Sequence, residues 1–187
     1  SLYDLELNAS SQIQPLIEIL RNQALIQHNL VMVQYSRSTG VTYDLSDLNS
    51  SEKGNVTKVL TDLGIRSASG TKCTGDENEF IQILRALHRL GQQTTPLTLR
   101  DGVPLRFLIL IEFSEHLLPQ LNNGTHTQEQ IMAIELALRL SNSLGFRKSQ
   151  NYTILSEARP GLMESLIYQN MDSVTISQPG IPEKLDF

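Results

Sequence analysis

The stretch that most constrains this chain is Arg106-Phe107-Leu108-Ile109-Leu110-Ile111, an apolar run without alternation that ends at once in a carboxylate, Glu112. A strand with one wet face alternates apolar and polar residues. A strand that is apolar throughout needs cover on both faces, as in parallel sheets. Two more runs follow it. Tyr152-Thr153-Ile154-Leu155 leads into Ser156-Glu157-Ala158-Arg159-Pro160-Gly161-Leu162-Met163-Glu164, and Asp172-Ser173-Val174-Thr175-Ile176 meets Pro179 and Pro182. Upstream, Leu30-Val31-Met32-Val33-Gln34-Tyr35 has the β-branched enrichment of a strand, and Val41-Thr42-Tyr43 either extends it or pairs with it.

Between these runs the apolar spacing becomes helical. Ser10 or Ser11 caps a segment with Pro15 in its first turn and a stripe of Ile13, Leu16, Ile17, Leu20 and Ala24. Val56, Val59, Leu60 and Leu63 give a short helix closed by Gly64. Phe80, Ile83, Leu84 and Leu87 give another, capped by Asp76 with Glu79 three residues on and ended by Gly91. Thr127 and Gln130 form a capping box before Ile131, Ile134, Ala137, Leu138 and Leu144, with Gly145 as the stop. Residues 66–76 and the Pro- and Gly-containing stretch 92–104 read as loops. The expectation is one α/β domain over residues 1–187. Its mainly parallel sheet has strands near 30–35, 106–112, 152–156 and 173–177, flanked by helices near 12–26, 77–90 and 128–144.

Composition narrows the partners. At 187 residues and 40% hydrophobic content the chain can bury one substantial core. Its net charge is −5 and no run of Lys or Arg forms a patch, which argues against nucleic acid and against an anionic membrane as the main partner. No apolar segment approaches the roughly 18 residues that span a bilayer, and the first residues do not form a signal peptide. Cys73 is the only cysteine, so a reducing, cytoplasmic compartment is expected. Asn8, Asn49, Asn55, Asn123 and Asn151 each begin an N-x-[ST] sequon, which abundant Asn, Ser and Thr explain by chance. Asn55 also falls in a predicted helix, a poor place for a glycan.

Residues 105–187 resemble the second half of the large subdomain of AAA+ ATPases, a branch of the P-loop NTPases. In that family an apolar strand ends in the Walker B Asp-Glu with a further acid two residues on, and here the matching run is Leu108-Ile109-Leu110-Ile111-Glu112-Phe113-Ser114-Glu115. The family's sensor 1 strand, then Arg-Pro, is matched by Glu157-Ala158-Arg159-Pro160-Gly161-Leu162-Met163-Glu164. The arginine-finger segment, a strand and the entry to the helical lid are matched by Tyr168-Gln169-Asn170-Met171-Asp172, Val174-Thr175-Ile176 and Pro182-Glu183-Lys184-Leu185-Asp186-Phe187. The resemblance implies that strand 30–35 is either the first AAA+ strand, with an eroded phosphate loop behind it, or the second, with the first lost.

The departures matter most. The Walker B Asp position is Glu112, the neighbouring Glu position is Phe113, the sensor position is Ala158, and no Arg occurs from Leu166 to Met171. Phosphoryl transfer rests on positioning and charge stabilisation, and these parts fail together. No G-x-x-x-x-G-K-[ST] occurs, so no intact P-loop cradles phosphates. Ser36-Arg37-Ser38-Thr39-Gly40 and Gly70-Thr71-Lys72-Cys73-Thr74-Gly75 are the nearest remnants, and both read as polar turns. Glu112 and Glu115 are thus vestigial Walker-B-like positions and Ala158 a vestigial sensor position. No catalytic residue, cofactor or metal is expected.

Other chemistries are weaker. Glu112, Glu115 and His116 imitate an E-x-x-E-H metal set, yet no second His is near in sequence. Cys73 and His88 lack a supporting motif, and Ser156 lacks the G-x-S-x-G of hydrolases. Phe113, at the strand edge where open sheets collect ligands, reads as a plug or partner contact, or as core filling. The resemblance implies the N-terminal, non-catalytic module of a longer bacterial-type AAA ATPase, without its helical lid, serving assembly or regulation. Its partner would be an AAA+ ATPase module in cis or in trans, or a second copy. The alternatives are an ATPase with a non-standard loop near Arg37 to Gly40 or Lys72, and an independent interaction domain.

Overall fold

A computed structural model of the chain describes residues 30–65, 77–93, 95, 97–100, 102–120, 124–159 and 161–173. The elements in chain order are β1 (Leu30–Ser36), β2 (Gly40–Tyr43), α1 (Ser50–Asp62), α2 (Glu77–Gln92), β3 (Thr98–Arg100), β4 (Val103–Pro104) and β5 (Arg106–Ile111). A 3₁₀ turn (Ser114–His116), α3 (Gln128–Ser141), α4 (Leu144–Lys148), β6 (Tyr152–Leu155) and α5 (Ser165–Asn170) complete them. The helix expected near 12–26, the Asp76 cap, Cys73 and the strand expected near 173–177 lie outside the described residues, apart from Ser173.

The main sheet has the order β2-β1-β5-β6. β5 is parallel to β1, with Val31 opposite Phe107 and Tyr35 opposite Ile111, and parallel to β6, with Ile109 opposite Thr153. β2 pairs antiparallel with β1, Tyr35 facing Val41. The sheet is therefore mixed and mostly parallel, in an α/β arrangement flanked by helices. Val41 to Tyr43 pair with β1 rather than extend it, because the chain reverses through Ser36 to Gly40. The Ser36 hydroxyl lies 2.6 Å from that of Thr39 and accepts from the Thr39 amide at 3.2 Å, while Gly40 takes a φ of 69°.

Alternation along the strands sorts two faces. Val31, Val33, Tyr35, Phe107, Ile109 and Ile111 form one core with Val56 and Leu60 of α1, Phe80, Leu84 and Leu87 of α2, Ala133 and Ala137 of α3, Phe146 of α4 and Ile167 of α5. Among the described residues the helices thus gather on this face. The other face carries a separate cluster of Leu30, Leu108 and Leu110, joined by Met32 and Ile154. That two-sided apolar demand is what made β5 legible as a central strand.

Three details depart from expectation. The loop 92–104 contains an antiparallel ribbon, β3 on β4, with a register shift between Thr98 and Arg100. The helix expected over 128–144 ends at Ser141, and Ser143 caps α4 by accepting from the Phe146 amide at 3.2 Å. Gly91 and Gly145, expected as helix stops, lie inside α2 and α4 and let their backbones meet. The capping box of Thr127 and Gln130 is present as expected, and Asn49 with Glu52 makes a second one at α1.

The sequons at 55 and 151 have structural work. The Asn55 side-chain nitrogen donates to the Leu99 carbonyl at 3.1 Å. Asn151 is buried, accepts from the Phe107 amide at 2.7 Å and donates to Ser149 Oγ at 2.9 Å. An N-linked glycan would take the nitrogen that each uses.

Candidate functional site: the C-terminal edge of the parallel sheet

β1, β5 and β6 all end at one edge, where open α/β sheets bind ligands. β5 runs on into Glu112, whose amide donates to the Tyr35 carbonyl at 2.9 Å. Its Oε2 accepts from Gln34 Nε2 at 2.7 Å. Phe113 then takes φ 52° and ψ 47°, in the left-handed region, and its side chain is 52% exposed. A bulky residue there is an outlier on steric grounds. The turn is held on both sides: the Ser114 amide donates to the Ser156 carbonyl at 2.8 Å, and Ser114 Oγ to the Ile111 carbonyl at 2.9 Å. The ring stacks on His116, 6.4 Å between centroids. Core filling, one of the two roles open to Phe113 from sequence, is overturned by this exposure.

Glu115 points inward instead. It is 8% exposed, its Oε1 accepts from the Ala158 amide at 3.2 Å, and its Oε2 has no hydrogen-bond donor. Ala158 contributes its backbone amide to this contact. The E-x-x-E-H set does not converge: Glu112 is bound by Gln34, Glu115 turns to Ala158 and His116 lies against Phe113. Among the described residues no group of three or more His, Cys, Asp or Glu is placed to hold a metal ion. His88 sits elsewhere, its Nε2 3.1 Å from the Leu136 carbonyl. Ser156 joins the edge through its backbone, its amide donating to the Ile111 carbonyl at 2.8 Å.

Beyond β6 the chain forms a loop closed by Tyr168 of α5, a contact that single-sequence reasoning missed. The Tyr168 hydroxyl accepts from the Gly161 amide at 2.8 Å and the Met163 amide at 3.4 Å. It donates in turn to Glu157 Oε2, which also accepts from the Leu162 amide at 3.3 Å. Antiparallel bonds tie the loop to the segment after the 3₁₀ turn, with the Gln120 amide on the Leu162 carbonyl and the Glu164 amide on the Leu118 carbonyl, each at 2.8 Å. Burial first, then the bond to Glu157, raises the Tyr168 phenol above its ordinary value. A raised acid is stabilised in its protonated form. Its contribution is present below the ordinary pKa of about 10 and is lost as pH rises through the folded value. Alkaline titration of stability is therefore expected to fall more steeply above about pH 10 for the native chain than for Tyr168→Phe. Parallel curves for the two would remove Tyr168 from this role.

Fold and edge together define an open, mostly parallel α/β protein whose sheet end is organised by backbone hydrogen bonds and crowned by an exposed aromatic. No family model matches the chain, and no curated protein matches it in sequence. Among solved structures, a chain of the E. coli MS115-1 HORMA:CdnC:Trip13 complex aligns with 82% of this chain, at 10% identity and a TM-score of 0.45. The alignment spans 40% of that chain's length. A likeness at that distance carries no argument about fold or function. Among the described residues, no helix is long and apolar enough to cross a membrane.

Proposed function

We propose that this chain is a non-catalytic AAA+-like module that assembles with or regulates an ATPase by contact, through the C-terminal edge of its sheet. Phe113 carries this reading. An exposed phenyl ring on a left-handed backbone costs the fold about 1–2 kcal/mol, and the bonds from Glu112 and Ser114 hold it there. Local rules broken in this way cluster at binding and switching sites. The carboxyls of Glu112 and Glu115 are engaged in shaping the edge, which leaves them poorly placed for phosphate chemistry.

The turn after β1 weighs against the competing enzyme reading. A phosphate loop needs strand, loop and then helix, whereas Ser36 to Gly40 turn straight back into β2. This favours β1 as a counterpart of the second AAA+ strand. The segment around Lys72 lies outside the described residues. The partner would be an AAA+ ATPase module in cis or in trans, or a second copy, in the cytoplasm. The acidic net charge of −5 disfavours nucleic acid.

Two measurements test the proposal. In the full-length protein, Phe113→Glu is expected to abolish assembly by light scattering with no loss of thermal stability. Unchanged assembly would contradict the contact reading. Calorimetric titration with ATP and Mg²⁺ is expected to give no saturable binding tighter than about 10 μM, near −7 kcal/mol. Tighter binding would reinstate the nucleotide-binding enzyme.

A further inference from the structure

Resting on the reading of this edge as a contact surface, we propose that Tyr168 is its latch, a positioning residue that keeps the Phe113 turn in its strained form. The observation is where the ties of that turn lead. Phe113 holds a φ of 52°, and a bulky residue stays in the left-handed region only while its surroundings over-determine it. One tie is local, from Ser114 Oγ to the Ile111 carbonyl. Two others reach the chain just past β6. The Ser114 amide donates to the Ser156 carbonyl, and Glu115 Oε1 accepts from the Ala158 amide. Between Ser156 and Ala158 stands Glu157, whose Oε2 accepts from the Tyr168 hydroxyl and from the Leu162 amide. The stretch that holds the turn is thus itself held by Tyr168.

The far half of the loop is fixed independently. Met163 is buried, and backbone bonds join Leu162 to Gln120 and Glu164 to Leu118. The near half meets Tyr168 through Glu157 and through the Gly161 amide. A phenylalanine at 168 keeps the ring and removes these polar contacts. The near half then frays, and the bonds from Ser156 and Ala158 to the turn become intermittent. Released from them, Phe113 relaxes toward the negative φ that an L residue prefers. Held and relaxed are two discrete arrangements of one turn, and the clasp biases them, which is what coupling between two places requires. With the turn relaxed, the ring is no longer presented at the edge and contact weakens. A tyrosine that served only to anchor α5 would act differently. Its neighbour Ile167 lies in the main core with Ile109, so lost anchoring would loosen the centre of the sheet as well.

The test is Tyr168→Phe in the isotopically labelled full-length chain, followed by amide hydrogen exchange and by the HN–Hα scalar coupling of Phe113. Exchange at Ser114 and Ala158 is expected to quicken about tenfold, the scale of one lost hydrogen bond. The Phe113 coupling should move toward its extended value. The Ile109 amide, at the centre of β5, should stay within about twofold of native, as local opening requires. Glu157→Gln keeps an acceptor for Tyr168 and should retain native exchange to within about threefold. Glu157→Ala should reproduce Tyr168→Phe, and the double variant should add nothing further, since both remove one clasp. Unchanged exchange at Ser114 and Ala158, or equal loss of protection at Ile109, would overturn the latch. Either result leaves the contact reading standing, because Phe113→Glu tests that separately. A loosened turn with assembly by light scattering untouched would support the latch and count against the contact reading alone.

Discussion

Gly145→Ala is expected to cost this fold about 3 kcal/mol or more, the upper range for overpacking. The first β-carbon at 145 would sit 2.2 Å from the carbonyl oxygen of Gly91, and one at 91 would sit 2.8 Å from the Phe146 nitrogen. Both obstacles are backbone, so no flexible side chain can swing aside. α2 and α4 approach at this pair of glycines, and both belong to the core around Phe107 and Ile109. For a chain of this size the loss corresponds to roughly 6–12 °C in Tm. Gly54→Ala is the internal control. It lies in α1 with nothing within 4 Å of an added β-carbon, and should gain up to about 1 kcal/mol from helix propensity. Urea unfolding of the two variants checks both signs. A Gly145→Ala protein as stable as the native one would mean that α4 does not meet α2 in this way.

Phe107→Ala is expected to cost about 3–5 kcal/mol, the usual range for emptying an aromatic site in a packed core. Phe107 is 0% exposed, in the strand that is hydrogen-bonded to β1 on one side and β6 on the other. Its amide is also the donor that Asn151 accepts. The denaturation midpoint should fall with the urea slope unchanged, which separates lost stability from a change in the unfolded state. A cost below about 1 kcal/mol would place Phe107 outside the core.

The same residues show what a single sequence discloses. β5 was legible because a run apolar at every position has few homes other than a covered central strand, and the strand bounds agree to within a residue. The ribbon β3–β4 was not legible, since strands of three and two residues carry too little alternation to register. Asn151 read as a chance sequon, because its value lies in meeting the Phe107 amide, a contact 44 residues away. Gly91 and Gly145 read as helix ends, since glycine closes helices more often than it lets two of them touch. At the edge, the family resemblance picked out Glu112, Phe113, Glu115 and Ala158. It was silent on which of them faces solvent, because a left-handed φ at Phe113 and the burial of Glu115 are set by bonds from β1 and β6. The Tyr168 clasp needed α5 to fold back on the loop after β6, and nothing local announces that.

The central claim is that the end of the sheet is a surface for contact. Amide hydrogen exchange, compared between the dilute full-length protein and its assembled state, addresses it most directly. The account predicts new protection at Phe113, Glu115 and Ala158 on assembly, with β2 unchanged. Assembly that leaves those amides exchanging as before, and protects another surface instead, would contradict it.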